Sequence, residues 1–188
     1  MYPGFFRGKK EETDMKRNVS VLTDLNGKKI VIINDIIFMG KQHIPWKDVE
    51  KYVRQYINDF FIVAEQGDCI HIGKDLPDEY VWSEYTKKLR GMLAKAKANA
   101  AQGIPEMIEI SIGKRYKDNL DEKHKREAKY GWYRYDTRFA LPIYDKNSEL
   151  VRYNVFQAEL IVRHDADGKL YLYDIINIKK KKQSRPPE

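Results

Sequence analysis

The sequence predicts an α+β fold in which helices are followed by a C-terminal antiparallel β-meander, with a small N-terminal hairpin-helix module in front. Three observations predict it. Apolar residues recur at helical spacing over 44–61 and again over 81–103. Beyond Gly131 the texture changes to three strand-like runs. The runs are separated by DKNSE and DADGK, turns short enough to make consecutive strands antiparallel neighbours.

Residues 1–17 read as a disordered basic tail. A small α+β module spans 18–74. VSVLTDLNGKKIVII reads as a hairpin, with Asn26-Gly27 supplying a type I′ turn, and the strand resumes as NDIIFMG. IPWKDVEKYVRQYINDFF reads as a helix with Trp46, Val49, Val53 and Tyr56 inward. FIVAEQGDCIHIG is a strand pair turning at Gln66-Gly67. Residues 75–180 form the larger unit, and 181–188 a second basic tail. VWSEYTKKLRGMLAKAKANAAQG predicts one long helix burying Tyr85, Leu89, Met92, Leu93 and Ala96, with Lys95 and Lys97 outward. Gly103 caps it and Pro105 opens the next helix, IPEMIEIS. DNLDEKHKREAK is a third, polar helix with Asp118 or Asn119 as N-cap.

Strand alternation divides each later run into two faces. Tyr133, Tyr135, Phe139 and Leu141 share one side of the first, opposite Trp132, Arg134, Asp136 and Arg138. In the second, Phe156, Ala158, Leu160 and Val162 oppose Gln157, Glu159 and Arg163. In the third, Leu170, Leu172, Ile176 and Ile178 oppose Tyr171, Tyr173 and Asn177. The polar face has two readings: a solvated surface laced with cross-strand ion pairs, or a surface where arginines hold phosphates and tyrosines stack on bases.

The chain has 188 residues, 42% of them hydrophobic and 34% charged, as in ordinary soluble domains. No apolar run has the roughly 20 residues of a membrane helix, and the amino terminus has no secretory pattern. Cys69 is the only cysteine, which excludes an internal disulfide and a cysteine zinc site. A cytoplasmic location, no membrane partner and no cofactor are the expectations. The net charge of +7 permits RNA or another nucleic acid as partner. Lys179 to Lys182 are either a solvated end or a weak phosphate-backbone anchor.

No GxxxxGK[ST], GxGxxG or GxSxG occurs, so nucleotide hydrolysis, Rossmann cofactors and hydrolase elbows lack support. His43, His71, His124 and His164 show no metal-binding cluster. His124 lies among Lys123, Lys125 and Arg126, whose charges favour the neutral imidazole that a general base needs; an exposed helix histidine is the other reading. RNA cleavage requires none of the absent motifs, because the 2′-hydroxyl is the nucleophile and the protein has only to orient it, move a proton and stabilise charge.

AKANAAQGIPEMIEI, KHKREAKYGWYRYDTRFALPIYD and RYNVFQAELIVRHDADGKLYLYDIINIKK resemble domains of large polyvalent proteins from phages and conjugative elements of gut Firmicutes. Several such domains are assigned to the barnase/EndoU/colicin/RelE-like nuclease superfamily. The resemblance covers roughly residues 75 to 180 and implies a metal-independent endoribonuclease-like domain of a mobile genetic element. His124, Arg138, Arg163 and Tyr173 are the catalytic positions it implies. Arg134, Tyr171, Trp132, Lys125 and Lys97 are then expected to bind nucleic acid. The alternative is a non-catalytic accessory protein of a mobile element that binds nucleic acid or a host defence protein.

Overall fold

The structure, a computed structural model, describes residues 17–40, 42–118 and 128–182. β1 (Val19–Thr23) and β2 (Lys29–Ile33) form a hairpin, and α1 (Trp46–Val53) runs into a 3-10 turn. β3 (Phe60–Ile62) and β4 (Cys69–His71) follow, then α2 (Leu76–Trp82), α3 (Glu84–Lys88), α4 (Gly91–Ala100) and α5 (Ile104–Ile110). The remaining strands are β5 (Ile112–Lys117), β6 (Trp132–Tyr144), β7 (Leu150–His164) and β8 (Leu170–Lys180). All eight strands belong to one sheet, ordered β1-β2-β6-β7-β8-β4-β3, with β5 on the side of β6.

This topology corrects the expected fold class. β6, β7 and β8 pair antiparallel, but they are not a separate meander placed after the helices. β2 joins β6 in parallel through Val31↔Phe139 and Ile32↔Ala140, and β4 joins β8 in parallel through Ile70↔Leu170 and His71↔Tyr171. The sheet is therefore mixed, and the amino-terminal hairpin and strand pair are built into it instead of standing as a module of their own. Parallel pairing needs a long crossover, which the helical segments provide.

One face of the sheet carries the helices and the core. Tyr135, Phe139, Phe156, Leu160 and Leu172 meet Tyr52, Tyr56, Tyr80, Ala96 and Met107 there, all essentially without solvent contact. The Phe139 and Phe156 rings stack at 5.2 Å.

Several local expectations are also corrected. The long helix predicted over 81–103 is three pieces. Ser83 is extended and caps α3 by accepting from the Thr86 N–H, while Leu89 and Arg90 are extended and Gly91 has φ +58°. Each break resets the helical phase, so α4 buries Ala94, Ala96, Lys97, Ala98 and Asn99, and Met92 is exposed. NDIIFMG is not a strand. The Asn99 amide satisfies it instead, accepting from the Ile37 and Phe38 N–H groups at 3.1 Å each and donating to the Phe38 carbonyl at 3.0 Å. Asn26-Gly27 does not make a type I′ turn: only Gly27 has positive φ, with its N–H bonded to the Asp24 carbonyl. In β8 the register with β7 shifts twice, and Asn177 takes φ +52°. Asp174 is inward with Leu172, and the shifts then turn Ile175 inward where strict alternation predicted Ile176. The predicted polar helix over DNLDEKHKREAK lies almost wholly outside the described residues.

Candidate nucleic-acid interface

β6 changes partners along one edge. β5 covers it from Trp132 to Asp136, β2 covers Phe139 and Ala140, and Thr137 and Arg138 lie at the gap between them. A groove of about 640 Å³ opens there and runs onto the face of the sheet opposite the helices. Arg138, Gln157 and Lys179 are direct cross-strand partners on β6, β7 and β8, so they stand in one row on that outer face. Lys181 lies two residues beyond Lys179, and Lys28 and Lys29 enter from the β1–β2 turn; all of them line the groove.

The charges of this region are unevenly matched. Arg138 donates to Asp24 Oδ2 and to the Lys29 carbonyl, both at 3.0 Å. Among the described residues, no carboxylate lies within ion-pair distance of Lys28, Lys29, Lys179 or Lys181. The Lys181 ammonium is held below the ordinary lysine value by burial and by the neighbouring Arg138 and Lys28 charges. Glu65, Glu109, Asp136 and Glu159 also line the groove, with the Lys29 charge acting on Glu109. There Arg115 bridges Asp136 at 3.0 Å and Glu159 at 2.8 Å, and Arg134 stands 3.8 Å from Glu159. Burial pushes the Glu159 carboxyl up, but Asn177, Arg134 and Arg115 outweigh it and hold the group below its ordinary value.

The far end of the outer face is aromatic. Trp132, Arg163 and Tyr171 form a second cross-strand row, and the Trp132 and Tyr173 rings meet edge to face at 5.0 Å. Arg163 is nearly buried, lies 5.5 Å over the Tyr171 ring and is held by Asp75 and, at 2.5 Å, by Asp165. Tyr171 donates to Asp167 at 2.6 Å, and that bond leads in pushing its phenol up to about 12. Burial and then Glu79 raise the Tyr173 phenol.

No protein-family model and no curated protein matches the chain. The site's chemistry has to be read from its own side chains.

Of the residues expected to form a site, Arg134, Arg138, Trp132, Tyr171 and Tyr173 are on the strands that carry the outer face. Arg138 and Arg163 do not converge. Their places along β7 are six residues apart, roughly 20 Å at the rise of a strand. His124 and Lys125 lie outside the described residues. Lys97 is at the opposite side of the sheet, fully buried, with its ammonium 2.6 Å from Asp174 and from Thr86 Oγ1. Lys28 and Lys29 were not foreseen as site residues. Their signal was positional: they follow the hairpin turn at the head of β2, where a basic residue cannot face the core. Among the described residues no three His, Cys, Asp or Glu side chains gather as a metal site.

Proposed function

We propose that this protein is a binding module for single-stranded RNA, which it engages across the outer face of its sheet. The observation that supports this reading is the row from Arg138 to Lys179, extended by lysines with no carboxylate at ion-pair distance among the described residues. Unpaired ammonium groups in a groove are suited to phosphates, and Trp132, Tyr171 and Tyr173 offer ring faces and edges for unstacked bases further along. The groove that begins the path is large enough for about one nucleotide. Binding is favoured over cleavage because Arg138 and Arg163 are far apart and each is already held by carboxylates. On the resemblance noted above, such a module would serve a mobile genetic element as an accessory protein.

Fluorescence anisotropy with a labelled 12-nucleotide RNA tests the reading. With three or four phosphates engaged, the slope of log affinity against log salt is expected to be roughly −2 to −3. A duplex of the same sequence should bind more weakly, and the RNA should remain intact in EDTA. Absence of salt-sensitive binding to single-stranded RNA at low ionic strength would sink the proposal. Cleavage in EDTA would return the chain to the nuclease reading.

A further inference from the structure

At one corner of the groove the charge is concentrated. Lys28, Arg138 and Lys181 meet there, and Asp24 is the carboxylate that sits among them. Asp24 is fixed by its own turn: its Oδ1 accepts from the Asn26 and Lys28 N–H groups, both at 2.9 Å, which leaves Oδ2 for Arg138. The Lys28 backbone bond leads in holding the Asp24 carboxyl below its ordinary value, so it stays ionised at neutral pH. Three cations against one carboxylate leave two unit positive charges at the corner.

We infer that this corner is a subsite for a phosphate monoester, the terminal phosphate of an RNA strand, which the Lys28 and Lys181 ammonium groups grip while it competes with Asp24 for Arg138. An internal phosphodiester carries a single negative charge, whereas a terminal phosphate carries between 1.5 and 2 at about pH 7 and offers three acceptor oxygens. The doubly charged group is the one that matches the corner's net charge and its three donors. Asp24 then sets the selectivity: it is a resident anion that a weak competitor fails to displace. The inference rests on the RNA-binding reading and narrows it to chain ends.

The test uses the full chain and one RNA sequence in three forms, with a 5′-phosphate, with a 3′-phosphate, and with hydroxyls at both ends. At least one phosphorylated form should bind about tenfold more tightly than the hydroxyl form, the gain expected of one added charge-assisted hydrogen bond. The advantage should shrink as pH falls below about 6, where the phosphate takes up its second proton. Lys28→Ala and Lys181→Ala should remove most of it. Asp24→Asn should tighten the hydroxyl form more than the phosphorylated forms and so narrow the ratio. Equal affinity for all three forms would overturn the subsite and leave RNA binding standing. If none of the RNAs binds but a nucleoside 5′-monophosphate still raises the unfolding temperature of the native protein and not of Lys181→Ala, the subsite stands and the RNA reading fails. If neither probe binds, both fail.

Discussion

One buried lysine and a group of groove lysines lie on opposite sides of this sheet, and their surroundings give the same side chain opposite tasks. On the helix side, Lys97 has no solvent contact and spends its charge on Asp174 at 2.6 Å, with the Tyr80 and Tyr85 rings 4.7 and 5.0 Å away. Ser83 donates to the other Asp174 oxygen at 2.8 Å, and the Tyr80 hydroxyl donates to the Lys97 carbonyl. Burial pushes the Lys97 ammonium down and the Asp174 carboxyl up, and each is opposed by its partner. On the outer side, Lys28, Lys29, Lys179 and Lys181 share a groove without such partners among the described residues. A lysine matched inside the protein holds the fold together; an unmatched lysine is free to hold something else.

The inner cluster gives the largest expected effect. Asp174→Ala leaves an ammonium buried without its counter-ion and should cost about 3–5 kcal/mol, measured by urea denaturation. Lys97→Met combined with Asp174→Leu should recover most of that loss, because burying two apolar groups avoids the desolvation of two charges. The outer cluster should show the reverse pattern. Lys179→Ala and Lys181→Ala should each weaken RNA binding several-fold while stability stays within about 0.5 kcal/mol of the parent. A large stability loss from either outer substitution would erase the contrast.

A smaller effect sharpens the contrast at the seam between β5 and the strand pair. Asp68 accepts from the Tyr135 hydroxyl at 2.6 Å and pairs with Lys114 at 2.7 Å. Burial raises this carboxyl, but Lys114, Tyr135 and Gln66 together hold it below its ordinary value. A depressed carboxyl stabilises the fold fully above the unfolded value of about 3.9, and that contribution is lost as pH falls through the folded value. Asp68→Asn should therefore flatten the acid limb of the stability curve below about pH 4 and leave RNA affinity near neutral pH unchanged, since Asp68 lies away from the lysine row.

The inward side chains of β6 and β7 were legible because alternation needs only local sequence: Tyr135, Phe139, Phe156 and Leu160 are buried as their spacing predicts. Ser83 and Gly91 were visible too, but helical periodicity read across them and placed Lys97 outside. The bulges in β8 carry no comparable signal, since Ile175 turns inward next to Asp174 through a register shift that no alternating pattern encodes. The two parallel joins were hidden for a different reason. Val31 and Phe139, or Ile70 and Leu170, are paired across long stretches of chain, and nothing near either residue names its partner. The groove inherits that difficulty, because it exists only where β2 and β5 leave a gap on β6.

Lysine acylation read by mass spectrometry, with and without bound RNA, tests the central contrast most directly. RNA should protect Lys28, Lys29, Lys179 and Lys181, while the exposed Lys47, Lys51, Lys87 and Lys88 of the helix layer react as before. Lys97 should remain unreactive in both states because it is buried. Protection spread evenly over both faces, or confined to Lys87 and Lys88, would contradict the account.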